Sequence, residues 1–209
     1  MAIGDLAPLV FDGGDRAACD DGDPGAQSGA IYSLRPIAPE RIDIDTVDRL
    51  DRDAFVARFG GAFEASPWIA EAAWAARPFG SVDALHAAMV RSVESAPPEA
   101  RAALIRAHPD LAGKAAVAGE LTAESEREQA AAGLDRLTPE QYARLTGLTA
   151  AYHDRFGFPF VVCAREHTAD SIIAAATRRV DADPSQEERT AVSEIAKIAR
   201  LRLADLVKR

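Results

Sequence analysis

The sequence predicts an all-α domain, and three features carry that expectation. Apolar residues recur at helical spacing from Asp51 onward, as in Val82, Leu85, Met89 and Val93. Cap-and-proline start signals punctuate the segments: Ser66-Pro67, Thr138-Pro139 and Asp183-Pro184. A single stretch within this region, Gly157 to Cys163, reads as a turn and a short extended run. The 209 residues fit one domain with an appendage. Apolar residues make up 48% of them, enough for a core.

The appendage comes first. Met1 to Ala30 is rich in Asp and Gly, a composition that cannot offset its ordering entropy by burial. Its Asp20-Asp21-Gly22-Asp23-Pro24-Gly25 string has the look of a calcium loop. It lacks the full oxygen-ligand pattern and the closing glutamate. Ile31 to Asp45, broken by Pro36 and Pro39, is expected to be an extended surface arm. Residues 1–45 are therefore assigned to a flexible acidic extension and 46–209 to the helical domain.

The helices follow in order. Asp51 caps a first one carrying Phe55, Val56 and Phe59, ended by Gly60-Gly61. Ser66 as N-cap with Pro67 at the first helical position opens the second, whose stripe is Trp68, Ile69, Ala72 and Ala73. Arg77-Pro78-Phe79-Gly80 stops it, and Ser81 opens a third. Pro97-Pro98 precedes a fourth that runs into His108-Pro109. Thr122 caps a fifth, with early acids suited to the helix dipole, and Gly133 ends it. Thr138-Pro139-Glu140-Gln141 is a capping-box signature for a sixth, bearing Tyr142, Leu145, Leu148 and Tyr152. Thr168 caps a seventh with Ile172 and Ile173. Asp183 opens the last, with Gln186 at the capping-box position. The expectation is about eight helices.

Composition removes several function classes. The net charge is −9 and no basic block has the length of a nucleic-acid footprint. The cysteines, Cys19 and Cys163, make no disulfide framework or metal-ligand spacing. No apolar run reaches the length of a membrane span, and no basic-then-apolar leader appears. A cytoplasmic protein is the expectation. Phosphate-loop, dinucleotide, zinc and serine-nucleophile motifs are missing.

What remains is a short set of polar candidates. Pro109 biases His108 away from helical dihedrals, which puts it at a helix junction. Histidine is the side chain most easily tuned to exchange a proton near neutral pH. The local alternative is that His108 caps the junction while Asp110 pairs with Arg106 or Lys114. His86 reads as a helix-surface or boundary residue and His167 as a junction histidine. Glu128 and Gln129 point about 100° apart on one helix, and a cleft can receive both; a solvated face is the alternative. Arg202 falls four residues after Ile198 and seven after Ile195, toward the apolar side. A charge there requires snorkelling, an internal acid or an anionic ligand. The Gly157–Pro159 turn could hold a polar ring through its peptide groups, or simply pack three phenylalanines. Cys163, beside Val161 and Val162, reads as a small buried hydrophobe.

Several separated motifs carry a resemblance in the right order. They are Phe63-Glu64-Ala65-Ser66-Pro67-Trp68, Arg77-Pro78-Phe79, Ile105-Arg106-Ala107-His108-Pro109-Asp110-Leu111 and Ser125-Glu126-Arg127-Glu128-Gln129. Ala132-Gly133-Leu134, Phe156-Gly157-Phe158-Pro159-Phe160 and Leu201-Arg202-Leu203 continue the series. From Leu50 to Val207 the chain resembles the OHCU decarboxylases, which act on 2-oxo-4-hydroxy-4-carboxy-5-ureidoimidazoline (OHCU) in urate breakdown. The resemblance implies an all-helical homodimer without a cofactor or metal that forms (S)-allantoin and carbon dioxide. It implies a catalytic role for His108, with Glu128 as its acidic partner. It implies substrate contacts from Pro109, Gln129, Arg202, Ser66 and Pro67, and from the turn at Phe158, Phe160 and Val161. Thr149 departs from the asparagine of many relatives. Two other readings stay open at this point: a helical interaction module that has lost activity, and a hydrolase acting one step earlier on 5-hydroxyisourate. The leader lies outside the resemblance, so removing residues 1–40 is expected to leave turnover nearly unchanged. A large fall in catalytic efficiency of the folded, shortened chain would contradict that.

Overall fold

The computed structural model describes residues 40–111 and 121–208. The Asp20–Gly25 string, Lys114 and nearly all of the acidic leader lie outside them. Nine α-helices and three 3₁₀ turns, with no strand, make up the described residues. One helix more than expected is found. It is α1 (Ile44–Arg49), capped by Asp43, whose carboxylate accepts the Thr46 N–H at 2.8 Å. It buries a single side chain, Val47, so it has no periodicity to read. Just ahead of it, Ile42 pairs in parallel with Val207.

Most caps act as read. Asp51 opens α2 (Arg52–Phe59) and Ser81 opens α4 (Val82–Glu94). Pro98 begins α5 (Pro98–Arg106). Thr122 caps α6 (Ala123–Ala131). Thr138 and Gln141 form a reciprocal capping box on α7 (Pro139–Phe156), and Gly157 ends that helix at φ 73°. Thr168 and Ser171 form another box on α8 (Ala169–Arg179). Two starts differ. At α3 (Trp68–Ala73) Pro67 holds the cap position with helical dihedrals and no side-chain cap. Ser66 supplies its carbonyl to the Ile69 N–H at 3.2 Å, and its own N–H is folded back onto the Glu64 carbonyl at 2.7 Å. At α9 (Pro184–Leu206) the Asp183 carboxylate takes both the Ser185 and Gln186 amides, and Gln186 closes no box.

Two apolar clusters form the core. One gathers α1 to α5 and α9 around Phe55, Phe59, Leu85, Met89, Leu104 and Ile195. The other gathers α7 and α8 around Leu145, Tyr152, Phe160 and Ile172. Each such fully buried side chain contributes about 1.5–3 kcal/mol. The run Phe160–Cys163 is the seam between them. Val161 and Cys163 join the first cluster, Phe160 and Val162 the second. That alternation is the signature of an extended chain, whose successive side chains point to opposite faces.

α6 is the exception among the helices. Its buried residues are Ser125 and Gln129, both polar. It has no apolar face to drive docking, so polar contacts must hold it in place. Among the described residues no helix is long and apolar enough to cross a membrane.

Candidate active site

Where α5 ends, α6 docks and α9 passes beneath the seam, a small cavity of about 30 Å³ opens. His108, Pro109, Glu128, Gln129, Phe160, Val161 and Arg202 all line it, as do Ser125, Leu111, Val162, Ala164 and Ile198. Ser66, Pro67 and Phe158 are not among the lining residues. Ser66 and Pro67 lead away into α3 after the tight Glu64–Ser66 turn. Phe158 spends its ring on Tyr152 and Phe156, at 5.8 and 5.9 Å between centroids.

His108 stands two residues beyond α5, its N–H on the Ile105 carbonyl. The ring is buried. Nδ1 lies 3.0 Å from the Leu104 carbonyl. A carbonyl only accepts, so Nδ1 carries the proton. Nε2 is buried and has no hydrogen-bond partner among the described residues. Burial pushes the imidazole below the ordinary histidine range; the Leu104 carbonyl and Glu64 pull it upward, and Arg202 presses it down again. The result is a neutral imidazole with its lone pair on Nε2. No Arg106–Asp110 ion pair forms beside it. Among His108's charged neighbours Glu64 replaces the expected Glu128, and it is the Leu104 carbonyl that orients the ring.

Arg202 does not snorkel. It is 6% exposed and turned inward. Nε and Nη2 donate to the two oxygens of Glu128, at 2.9 and 2.7 Å. Nη1 donates to Glu64 Oε2 at 2.6 Å and to the Gly61 carbonyl at 3.4 Å. Nη2 also reaches Ser125 Oγ at 3.2 Å. A guanidinium has five N–H donors, and these contacts engage all of them. Burial pulls the Arg202 pKa down, but the hydrogen bonds and charges of Glu128 and Glu64 outweigh it and hold it above its usual value. Glu64 also accepts from Ser125 Oγ at 3.3 Å. Its backbone is left-handed, φ 53°, an uncommon state for a side chain with a Cβ. Such a residue costs about 1–3 kcal/mol and persists only where its surroundings hold it.

Sequence reasoning missed Glu64 and Ser125 as site residues. Ser125 was within reach, because it lies one helical turn before Glu128 on the same face of α6. Glu64 pairs with a side chain 138 positions away. Its only local signal was that a buried Arg202 calls for an acid. The Gln129 carboxamide donates toward the Asp110 carbonyl at 3.5 Å. Thr149 is buried and its hydroxyl bonds back to the Thr146 carbonyl at 3.1 Å, so its contribution is local to α7. His86 bonds the Ala196 carbonyl and His167 bonds Ser171, and both serve packing. Cys163 is buried and its thiol is pushed up to about 11 by burial, so it is inert.

A sequence model of the OHCU decarboxylase family matches residues 48–204. The chain belongs to the OHCU decarboxylase family. It is 48% identical to a 2-oxo-4-hydroxy-4-carboxy-5-ureidoimidazoline decarboxylase of Haloferax volcanii, over 78% of this chain and 95% of that one. It is 42% identical to the protein of the same name from Bos taurus, over 79% of this chain and 98% of that one. In structure it resembles a crystallised (S)-allantoin synthase, with a TM-score of 0.64 and 26% identity over 80% of this chain. The match covers 54% of that protein, so this chain spans about half its length. In this member of the family, the all-α expectation is borne out.

A neutral, buried His108 makes stability depend on pH in a definite direction. In the unfolded chain the imidazole takes up a proton below its ordinary value of 6.5, whereas in the folded chain it does so only at lower pH. The unfolded state therefore binds more protons in that window, and stability falls as pH drops through it. Denaturant unfolding at pH 7.5 and at acid pH is expected to show this loss, at most about 1.4 kcal/mol per pH unit from this one group. His108→Asn should have a flatter acid limb. An unchanged acid limb in that variant would show that His108 is not buried neutral.

Proposed function

We propose that this chain decarboxylates OHCU to (S)-allantoin and carbon dioxide without a cofactor, with His108 Nε2 as the proton-handling group. The observation that carries the reading is the state of His108. Its proton is committed to the Leu104 carbonyl at 3.0 Å, and its unpartnered Nε2 belongs to a residue lining the cavity of a chain in this family.

The chemistry asks little beyond positioning and proton movement. In OHCU one ring carbon bears a carboxylate and a hydroxyl, and the adjacent ring carbon is doubly bonded to nitrogen. As the bond to the carboxylate breaks, its electron pair forms a double bond to the adjacent ring carbon, and the C=N π pair passes to the nitrogen, which takes a proton from solvent. The ring is its own electron sink. His108 Nε2 takes the hydroxyl proton, a task suited to a neutral imidazole with a free lone pair. Glu128 keeps lone pairs beyond those that accept from Arg202, and these face the ureido and ring N–H groups of the substrate. Arg202, with its donors engaged, acts by holding Glu128 and Glu64 in place. Pro109, Gln129, Phe160 and Val161 bound the cavity and complete the substrate contacts. The N–H group of Val162 has no acceptor among the described residues, which leaves it for the polar ring. A proton must then reach the ring carbon from one face, which makes a single stereoisomer. A homodimer is proposed on the family resemblance alone, and a cytoplasmic setting on the sequence composition.

His108→Asn is the direct test. Asparagine keeps one hydrogen bond but cannot accept and return a proton, so turnover is expected to fall at least about a hundredfold in a folded variant. The assay is formation of (S)-allantoin from fresh urate-oxidase product, with and without a separate hydroxyisourate hydrolase. Near-parental turnover would remove His108 from the chemistry. An activity that appears only in place of the added hydrolase would favour the earlier-step reading, and none at all the interaction module.

A further inference from the structure

Behind the cavity lies a second set of buried charges, which the decarboxylation chemistry leaves unused. Glu187, on α9, is 1% exposed. It accepts from Tyr152 Oη and from Arg179 Nε, the latter at 2.8 Å. Burial, then the Glu187 carboxylate, pushes the Tyr152 phenol well above its usual range, so it remains a donor. Arg179 spends another N–H on the Val161 carbonyl at 2.8 Å and lies 4.6 Å over the Phe160 ring. Two turns further along α9, Glu194 accepts the Cys163 N–H at 2.8 Å and is paired with Lys197 at 2.6 Å.

Both charges grip the seam that lines the cavity, at opposite poles of its backbone. The C=O and N–H of a trans peptide point in opposite directions. With the Val161 oxygen on Arg179, the N–H of the same peptide, that of Val162, points away from α8. With the Cys163 N–H on Glu194, the Val162 carbonyl points away from its contact on α9. Val162 lines the cavity. Its N–H and C=O have no partner among the described residues. An unpaired buried peptide group is costly, so a pair of them held in place needs a purpose. The cation on the Val161 oxygen also polarises that peptide and strengthens the Val162 donor.

We propose that Arg179, backed by Glu187 and Tyr152, and Glu194, backed by Lys197, are positioning residues for the reaction. They aim the main-chain donor and acceptor of Val162 at the amide-like edge of the substrate. This rests on the decarboxylase reading above. A purely structural role would lower stability and leave substrate affinity alone, whereas a positioning role appears in KM.

The experiment compares Arg179→Lys, Glu194→Leu and Glu194→Gln with the full-length parent, by (S)-allantoin formation from fresh urate-oxidase product. Lysine keeps the charge but cannot serve Glu187 and the Val161 carbonyl together. Glutamine keeps an oxygen for the Cys163 N–H, and leucine does not. Arg179→Lys and Glu194→Leu are expected to raise KM about tenfold with kcat within about threefold, the size of one or two lost hydrogen bonds. Glu194→Gln is expected to bring KM back to within about threefold of the parent. If Glu194→Leu does not fold, Arg179→Lys decides alone. Parental KM in the folded variants, with an active parent, overturns the positioning role and leaves the decarboxylase reading intact. An inactive parent overturns that reading, and the positioning role falls with it.

Discussion

The five N–H groups of Arg202 hold the cavity together. They reach Glu128 on α6, Glu64 on the strained turn before α3, the Gly61 carbonyl and Ser125. α6 offers no apolar face of its own, so this cation anchors it against α9. Removing one partner from such a cluster typically costs about 3–5 kcal/mol, because charge is left buried and uncompensated. An apolar replacement of similar volume would often be as stable. What a nonpolar core could not supply is a cavity that holds two fixed carboxylates together with a neutral imidazole.

The same helix repeats the device. Glu187, Glu194 and Arg202 lie seven and eight residues apart on α9 and so return to nearly the same face. Each is buried and each holds a different wall of the cavity. Glu187 fixes Arg179 and through it Val161, Glu194 fixes Cys163, and Arg202 fixes α6 and Glu64. The seam they grip is extended backbone in an otherwise helical fold. It lacks a neighbouring strand, so its peptide groups must find partners elsewhere. Charged side chains take two of them and leave the groups of Val162 between.

How much of this could be read from the residues alone depends on the range of each interaction. Caps are local, and Asp51, Ser81, Thr122, Thr138, Thr168 and Asp183 all act where the spacing placed them. α1 escaped because one buried side chain makes no pattern. Ser66 reads as a capping side chain, but Pro67 already has helical dihedrals and holds the cap position itself. His108 was legible as a junction residue, since the proline after it is a local constraint. Its orientation by Leu104 was not, because that depends on how the chain leaves α5. The helical spacing put Arg202 on the apolar side but left its partner open. Only tertiary structure brings Glu64 to it across 138 positions.

Arg202→Lys isolates the guanidinium fork, since it keeps the buried charge and removes only the bidentate geometry. An ammonium has three donors and cannot bridge Glu128 in two places while also holding Glu64. The variant is expected to fold with reduced stability and to lose at least about tenfold in kcat/KM for (S)-allantoin formation, a loss of about 1.4 kcal/mol or more in transition-state stabilisation. A folded Arg202→Lys protein with parental kcat/KM would show that charge alone suffices, and would contradict the account of Arg202 as the fork that sets the site.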